Sequence, residues 1–226
     1  MLTDSVWSIQ RKQEYGYHIL VIKWNRKGDL IEYFMDFDGT LFNTYPAYTK
    51  ILSLVLGEEI DKQEIYKKLK ISYSHALDYY NVSSDQKEKI KSLKKELSPK
   101  DMKPFDGVEE ILKFADKNVI MTHKHRDGVL AILKYYGWDK YFVDMVTIDN
   151  GFPRKPNPSA YTYLHQKHKI DLAIGDRELD LLPAKELGII TCMFQGQSDV
   201  ADYYLNDYSE FFNKGIPLSK QLYLQQ

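Results

Sequence analysis

The chain has 226 residues, 43% hydrophobic and 28% charged, with a formal net charge of -1. That length suits one large domain, or one domain carrying an insertion, and the near-neutral balance leaves no electrostatic footprint for nucleic acid or an anionic membrane. Cys192 is the only cysteine and no apolar run reaches the length of a membrane span, so an intrachain disulfide and a transmembrane helix are both excluded.

In chain order, the first thirty residues fit two descriptions. Residues 17–24 and 30–37, on either side of Asn25-Arg26-Lys27-Gly28, suit a hairpin, and they equally suit an extension loosely attached to a sheet that is complete without it. The run Ile19-Leu20-Val21-Ile22 is too short for the apolar region of a signal peptide and lies too far in. With the lone cysteine, this gives a cytoplasmic protein as the expectation.

The next segment is the most informative. Tyr33-Phe34-Met35-Asp36-Phe37-Asp38-Gly39-Thr40 is an apolar strand ending in two carboxylates, a glycine and a hydroxyl. Residues i and i+2 of a strand share a face, so Asp36 and Asp38 are expected to converge while Phe37 turns into packing. Carboxylates that close repel unless a cation, a shared proton or strong donors hold them. Mg²⁺, a hard ion with a preference for oxygen, meets that need most simply.

From residue 46 to 103 the pattern is helical. Tyr48, Ile51, Leu52 and Val55 form one stripe, and Asp61 with Glu64 and Ser83 with Gln86 mark further helix starts. This reads as an inserted helical cap, with 41–46 as its hinge. Lysines 87, 89, 91, 94 and 95 are interleaved by Glu88 and flanked by Glu96, the pattern of a solvated helix face.

Beyond the insertion, branched apolar runs at 118–122, 145–149, 171–176 and 188–194 alternate with helical stripes. One stripe is Val108, Ile111, Leu112 and Ala115, with Asp106 and Glu109 as a capping pair; another is Val129, Ile132, Leu133 and Tyr136. Asn157-Pro158 opens a third helix. Such alternation implies an α/β fold: a Rossmann-like parallel sheet with helices on both faces, here carrying the inserted cap. The expected division is an extension over 1–29, a core over 30–45 and 104–226, and a cap over 46–103. Cys192, within an apolar run, is expected to be a buried, inert thiol.

Polar clusters fall where these strands end: Thr122-His123-Lys124, then Arg154-Lys155-Pro156-Asn157-Pro158, then Gly175-Asp176-Arg177-Glu178-Leu179-Asp180. Open parallel sheets bind ligands at those ends. Each cluster by itself has an ordinary explanation as a turn or a solvated loop; their order and placement carry the signal. His123 with His125, and His165 with His168, lack the further ligands a zinc site needs.

D-F-D-G-T, a strand-ending threonine, K-P-N-P and G-D-x-x-x-D, in that order, resemble the haloacid dehalogenase superfamily of phosphatases over about residues 30–212. The helical insertion is similar to the cap of its phosphoglycolate-phosphatase and β-phosphoglucomutase branch. The resemblance implies an enzyme, a Mg²⁺-dependent phosphoric monoester hydrolase working through an aspartyl-phosphate. It makes Asp36 the nucleophile and Asp38 the general acid and base. It gives Mg²⁺ to the Asp36 carboxylate, the Asp38 backbone carbonyl and Asp176, with Asp180 in support. It assigns the substrate phosphate to Thr122, His123, Lys155 and the backbone at Gly39. Many relatives carry aspartate where Asn43 stands.

The implied partner is a small phosphorylated metabolite, with neither nucleic acid nor membrane, and the protein a monomer or weak homodimer. A phosphosugar mutase on the same site and a non-catalytic phosphate-binding or regulatory module are the alternatives. The inserted helices contain no arginine to grip a second sugar phosphate, which weighs against the mutase. A nucleotidase has the same motifs.

Overall fold

The computed structural model describes residues 6–14, 17–25, 31–214 and 216, and divides the chain into two compact units, Met1–Leu30 and Ile31–Gln226. In the first unit β1 (Val6–Glu14) pairs antiparallel with β2 (Tyr17–Asn25), from Val6 opposite Asn25 to Glu14 opposite Tyr17. A hairpin therefore exists, but the partner of residues 17–24 is the preceding strand and not the one after. The expected partner, β3 (Glu32–Met35), is buried along its whole length, and belongs inside a parallel sheet.

That sheet has six strands in the order β10-β9-β8-β3-β6-β7, every neighbouring pair parallel. The others are β6 (Lys117–Met121), β7 (Phe142–Val146), β8 (Leu172–Gly175), β9 (Ile190–Phe194) and β10 (Tyr203–Leu205). Alternation along β3 divides its side chains between two cores. Phe34 stacks on Tyr161 at 4.2 Å between ring centroids on one face, while Tyr33 and Met35 join the larger cluster on the other. Helices α5 (Val108–Phe114), α6 (Arg126–Tyr136), α7 (Ser159–His168) and α8 (Glu178–Glu186) connect the strands.

Two local expectations shift. The strand placed at 145–149 runs from Phe142 to Val146, because the Thr147 N–H donates to Asn150 Oδ1 at 2.9 Å and closes a 3-10 turn that takes 147–150 out of the ladder. Asp106 does not cap α5: left-handed Gly107 takes that place, and Glu109 accepts from Tyr141 Oη at 2.7 Å. Asp61 and the Ser83–Gln86 capping box do cap their helices. Asn157 Oδ1 accepts from the Ser159 N–H at the head of α7. Cys192 is fully buried, which pushes its thiol up to about 12.

The insertion leaves the core through β4 (Phe42–Asn43) and returns through β5 (Lys103–Pro104), which pair antiparallel with Phe42 opposite Pro104. Between them lie α1 (Tyr45–Leu56), α2 (Lys62–Ile71), α3 (Tyr73–Tyr79) and α4 (Ser84–Lys95). Ile51, Leu52, Ile65, Leu69, Ala76 and Ile90 pack in one continuous cluster with the sheet. Among the described residues no helix is long and apolar enough to cross a membrane.

Candidate active site

Strand order decides which loops meet. β3 is flanked by β6 on one side and β8 on the other, so connections leave its carboxyl end in opposite directions and open a crevice there. Asp36 follows β3, Thr122 follows β6, Asp176 follows β8, and Lys155 lies between β7 and α7.

Lys155 is the hub. Its Nζ donates to Asp36 Oδ1 at 2.5 Å, to Asp180 Oδ1 at 2.9 Å and to the Met121 carbonyl at 3.0 Å. Arg177 closes the other side of Asp180, with Nε to Oδ2 at 3.1 Å and Nη2 to Oδ1 at 3.0 Å. Asp36, Asp176, Asp180 and Lys155 are all buried. Burial pushes the Asp36 carboxyl up and neighbouring Asp180 adds to this, while Lys155 and Arg177 oppose; the net shift is upward. Burial also works against charged Asp180 and Lys155, but the opposite charges around each prevail: Asp180 falls well below the usual carboxylate range and Lys155 rises. With both oxygens already accepting from cations, Asp180 serves chiefly to seat the lysine.

Asp176 has a different set of partners. Tyr45 Oη donates to its Oδ2 at 3.0 Å, and Lys70 Nζ, from α2 of the insertion, donates to the same oxygen at 2.5 Å. Burial pushes Asp176 up, with Lys70 and Arg177 opposing. Gly39 sits against this carboxylate with φ +82°; a Cβ there would lie 2.3 Å from the Tyr45 ring and 2.5 Å from Asp176 Oδ2. The glycine thus supplies a left-handed turn and a close approach. Its N–H is not free for a phosphate, because it donates to the Phe42 carbonyl at 2.8 Å in the turn that follows β3.

These residues fit a hard divalent cation. Asp36, Asp176 and Asp180 each offer an oxygen, all within 4.8 Å of one another. Asp36 Oδ2 is buried without a hydrogen-bond partner, and a buried carboxylate oxygen left so is costly. The donor set is all oxygen, which suits Mg²⁺ rather than a thiophilic metal.

Asp38 stands apart from that cluster. Its carboxylate pairs with Lys124 Nζ at 3.0 Å, and Lys124 also makes a short contact to Tyr48 Oη. Burial would raise Asp38, but Lys124 and the Thr44 hydroxyl outweigh it and the net shift is downward. Strand alternation does not extend to the two carboxylates, since β3 ends at Met35, and they take different partners, Asp36 with Lys155 and Asp38 with Lys124. Both acids line one cavity while facing different cations.

Thr122 is buried beside the same cavity, and its Oγ1 accepts from the Lys124 N–H at 3.2 Å. His123 Nε2 accepts from the Lys155 N–H at 3.2 Å, which puts the ring proton on Nδ1. Burial, followed by Lys155, Arg154 and Arg177, lowers its pKa to about 4, so it is neutral at pH 7. The ring braces the Lys155 loop besides lining the cavity. Two other histidines lie against acids: His125 Nδ1 is 2.7 Å from Asp149 and His168 Nε2 is 2.9 Å from Asp144.

The cavity between insertion and sheet measures about 1070 Å³. Sequence reasoning gave no role to Tyr45, Tyr48, Lys70, Lys94, Lys124 or Arg177, all brought to this region. Two had a readable signal, because Lys124 and Arg177 lie within strand-end clusters already singled out. The other four are on inserted helices, where ordinary tyrosines and lysines carry no motif.

A model of the haloacid dehalogenase-like hydrolases matches residues 33–194. The chain belongs to that family. Within it, the chain is 34% identical over 87 residues to a phosphoglycolate phosphatase of Vibrio parahaemolyticus, a match covering 37% of this chain and 38% of the relative. It is 31% identical over 100 residues to a pyrophosphatase of Halalkalibacterium halodurans, covering 41% and 46%. Each match thus spans less than half of the relative's length. A solved hydrolase from Streptococcus pneumoniae TIGR4 is similar at 28% identity and a TM-score of 0.56, over 74% of this chain and 94% of that one. A family hydrolase of subfamily IA from Geobacter sulfurreducens shares the fold at 18% identity, with a TM-score of 0.62 over 81% and 95%.

Proposed function

We propose that this family member is a phosphatase that hydrolyses a small phosphate monoester, with Asp36 as nucleophile. The observation that carries the reading is the Lys155 ammonium on Asp36 Oδ1, which leaves Oδ2 of a buried carboxylate unpartnered beside Asp176. The partial relatives named phosphoglycolate phosphatase and pyrophosphatase support it.

In this reading Thr122 takes a phosphoryl oxygen, and the Lys155 ammonium, its three hydrogens given to Asp36, Asp180 and the Met121 carbonyl, acts through its charge to offset the repulsion between the phosphate and the Asp36 carboxylate. Asp36 Oδ2 attacks phosphorus, the bond from phosphorus to the ester oxygen breaks, and the departing oxygen takes a proton from Asp38. Asp38 then removes a proton from water as that water attacks the aspartyl-phosphate, releasing inorganic phosphate and restoring Asp36. In the free protein the shifts run against this division of labour, Asp36 upward and Asp38 downward, so the reading assigns their reversal to the positive charge a cation would add beside Asp36 and the negative charge a substrate phosphate brings near Asp38. Asp36, Asp176 and the Asp38 backbone carbonyl would hold Mg²⁺, which supplies further neutralisation of phosphoryl charge.

The test is phosphate release from a generic aryl phosphate, with Mg²⁺ and with EDTA. Wild type turns over only with the metal, and Asp36→Asn loses turnover while keeping its circular dichroism. Retained activity in that variant refutes the covalent mechanism; no turnover of any monoester by wild type favours a binding module instead.

A further inference from the structure

Asp36, Asp38 and Thr122 line only part of a cavity of about 1070 Å³. Sites that enclose drug-sized ligands span about 300–1,000 Å³, so the space far exceeds what a phosphoryl group fills. An open cap does not account for it. Tyr45 and Lys70 of the insertion both bond Asp176, and Tyr48 touches Lys124, so the insertion is already seated on the core. With the phosphoryl group beside Asp36, the alcohol portion of an ester has the rest of the cavity to occupy.

Much of that remainder is walled by apolar side chains. Tyr73, Leu77 and Leu97 line it from the insertion, and Ile132 and Ile148 from the core. Ile148 is 38% exposed, a branched side chain left bare beside the site. The charges of α4 that also line the cavity are matched, covered or solvated. Lys91 pairs with Glu88 at 3.7 Å, the Lys94 ammonium lies 4.8 and 4.2 Å from the ring centroids of Tyr48 and Tyr73, and Lys87 and Lys95 are solvent-exposed.

One residue keeps the core side open. Gly128 lies in the first turn of α6, and a glycine within a helix weakens it. Neither usual reason for a glycine applies. Its φ is not left-handed, and an added Cβ would meet nothing within 4 Å. Gly128 lies three and four residues before Ala131 and Ile132, on one helical face, and all three line the cavity. A side chain at 128 would therefore project into the space.

We propose that this part of the cavity takes a bulky apolar alcohol portion of the substrate, one carrying a ring or branched hydrocarbon, and that Gly128 sets how large it can be. The inference rests on the phosphatase reading of the site. It narrows that reading to phosphate esters of bulky apolar alcohols, ahead of esters of two- or three-carbon alcohols, polyols and acids. The apolar walls gain from such a group in proportion to the area removed from water, whereas Thr122 meets the same phosphoryl group in every ester. The preference belongs to binding and not to the chemical step, so it falls on KM.

A matched pair tests this on the full chain with Mg²⁺. n-Propyl phosphate and 3-phenylpropyl phosphate are esters of primary alcohols of nearly equal acidity, so their leaving-group chemistry is alike and they differ by one ring. Wild type is expected to favour the phenylpropyl ester in kcat/KM by about tenfold or more, the scale of covering a ring of that size. Gly128→Leu should cut that ratio by about tenfold by raising KM for the phenylpropyl ester, and Gly128→Ala should lie between. Circular dichroism and urea unfolding check that both variants keep the fold, as a better helix former at an open position should. Calorimetric binding of the two esters to Asp36→Asn, with and without Gly128→Leu, reads the same preference without turnover. A wild-type ratio near one or below, or a ratio unmoved by Gly128→Leu, overturns the proposal while aryl phosphate turnover leaves the phosphatase reading standing. Absence of all turnover defeats the phosphatase reading, and the binding ratio then decides the role of Gly128 separately.

Discussion

Lys70 and Asp176, 106 residues apart, meet at 2.5 Å, and the contact ties the second inserted helix to the carboxyl end of β8. Counted together, Asp36, Asp176 and Asp180 carry three negative charges, and Lys155, Arg177 and Lys70 carry three positive ones. The cluster is neutral only because the insertion contributes Lys70. A divalent cation held by Asp36 and Asp176 would compete with that ammonium for the Asp176 carboxylate.

Replacing Lys70 by methionine is therefore expected to tighten Mg²⁺ binding by about tenfold, roughly 1.4 kcal/mol, as read by titration calorimetry. Without Mg²⁺ the variant should unfold at lower urea, because Asp176 loses a buried partner. Adding Mg²⁺ should restore more stability to the variant than to wild type. Equal metal affinity in the two proteins would show that Lys70 does not compete.

Lys155 is the reverse case, a cation enclosed by two acids. Lys155→Met should cost about 3–5 kcal/mol, the range for stripping one partner from a buried ionic group. Urea unfolding measures the loss, and a loss below 1 kcal/mol would mean that Arg177 alone satisfies Asp180 and Asp36.

Gly39→Ala combines a backbone penalty with a clash. At φ +82°, and with Tyr45 and Asp176 inside 3 Å of the added carbon, the variant should lose about 2–4 kcal/mol. Tyr45 and Asp176 are displaced together, so metal affinity should fall in the same variant, measured by the same titration.

Lys94 gives a pH signature. Burial first, then Lys124, lower its pKa to about 8, with Asp38 opposing; Tyr48 and Tyr73 are the other titratable groups that face it. It is charged below that pH and neutral above, and stability follows the same titration. The folded state holds this proton at a cost below pH 8, and sheds it between 8 and the ordinary 10.5 while the unfolded chain keeps it. Lys94→Met should thus be more stable than wild type at pH 7, by about 1–2 kcal/mol after allowance for partial exposure, with the gap closing as pH rises.

The sequence by itself determined the alternation of strands and helices, the helical insertion, and the four strand-end clusters that supply Asp36, Asp38, Thr122, Lys155 and Asp176. Those signals are local: periodicity within a dozen residues, a glycine after paired acids, polar residues where an apolar run stops. It left the partner of β2 open between two descriptions and passed over β10, because pairing is a choice among distant strands and three residues carry no period. Which cation each acid faces came from the packing of distant segments, which separates Asp38 with Lys124 from Asp36 with Lys155 and brings Lys70 to Asp176 and Lys94 to the cavity, from helices whose charge pattern reads as ordinary solvated surface. Ion pairing depends on Coulomb distance across the fold, and no spacing along the chain encodes that distance.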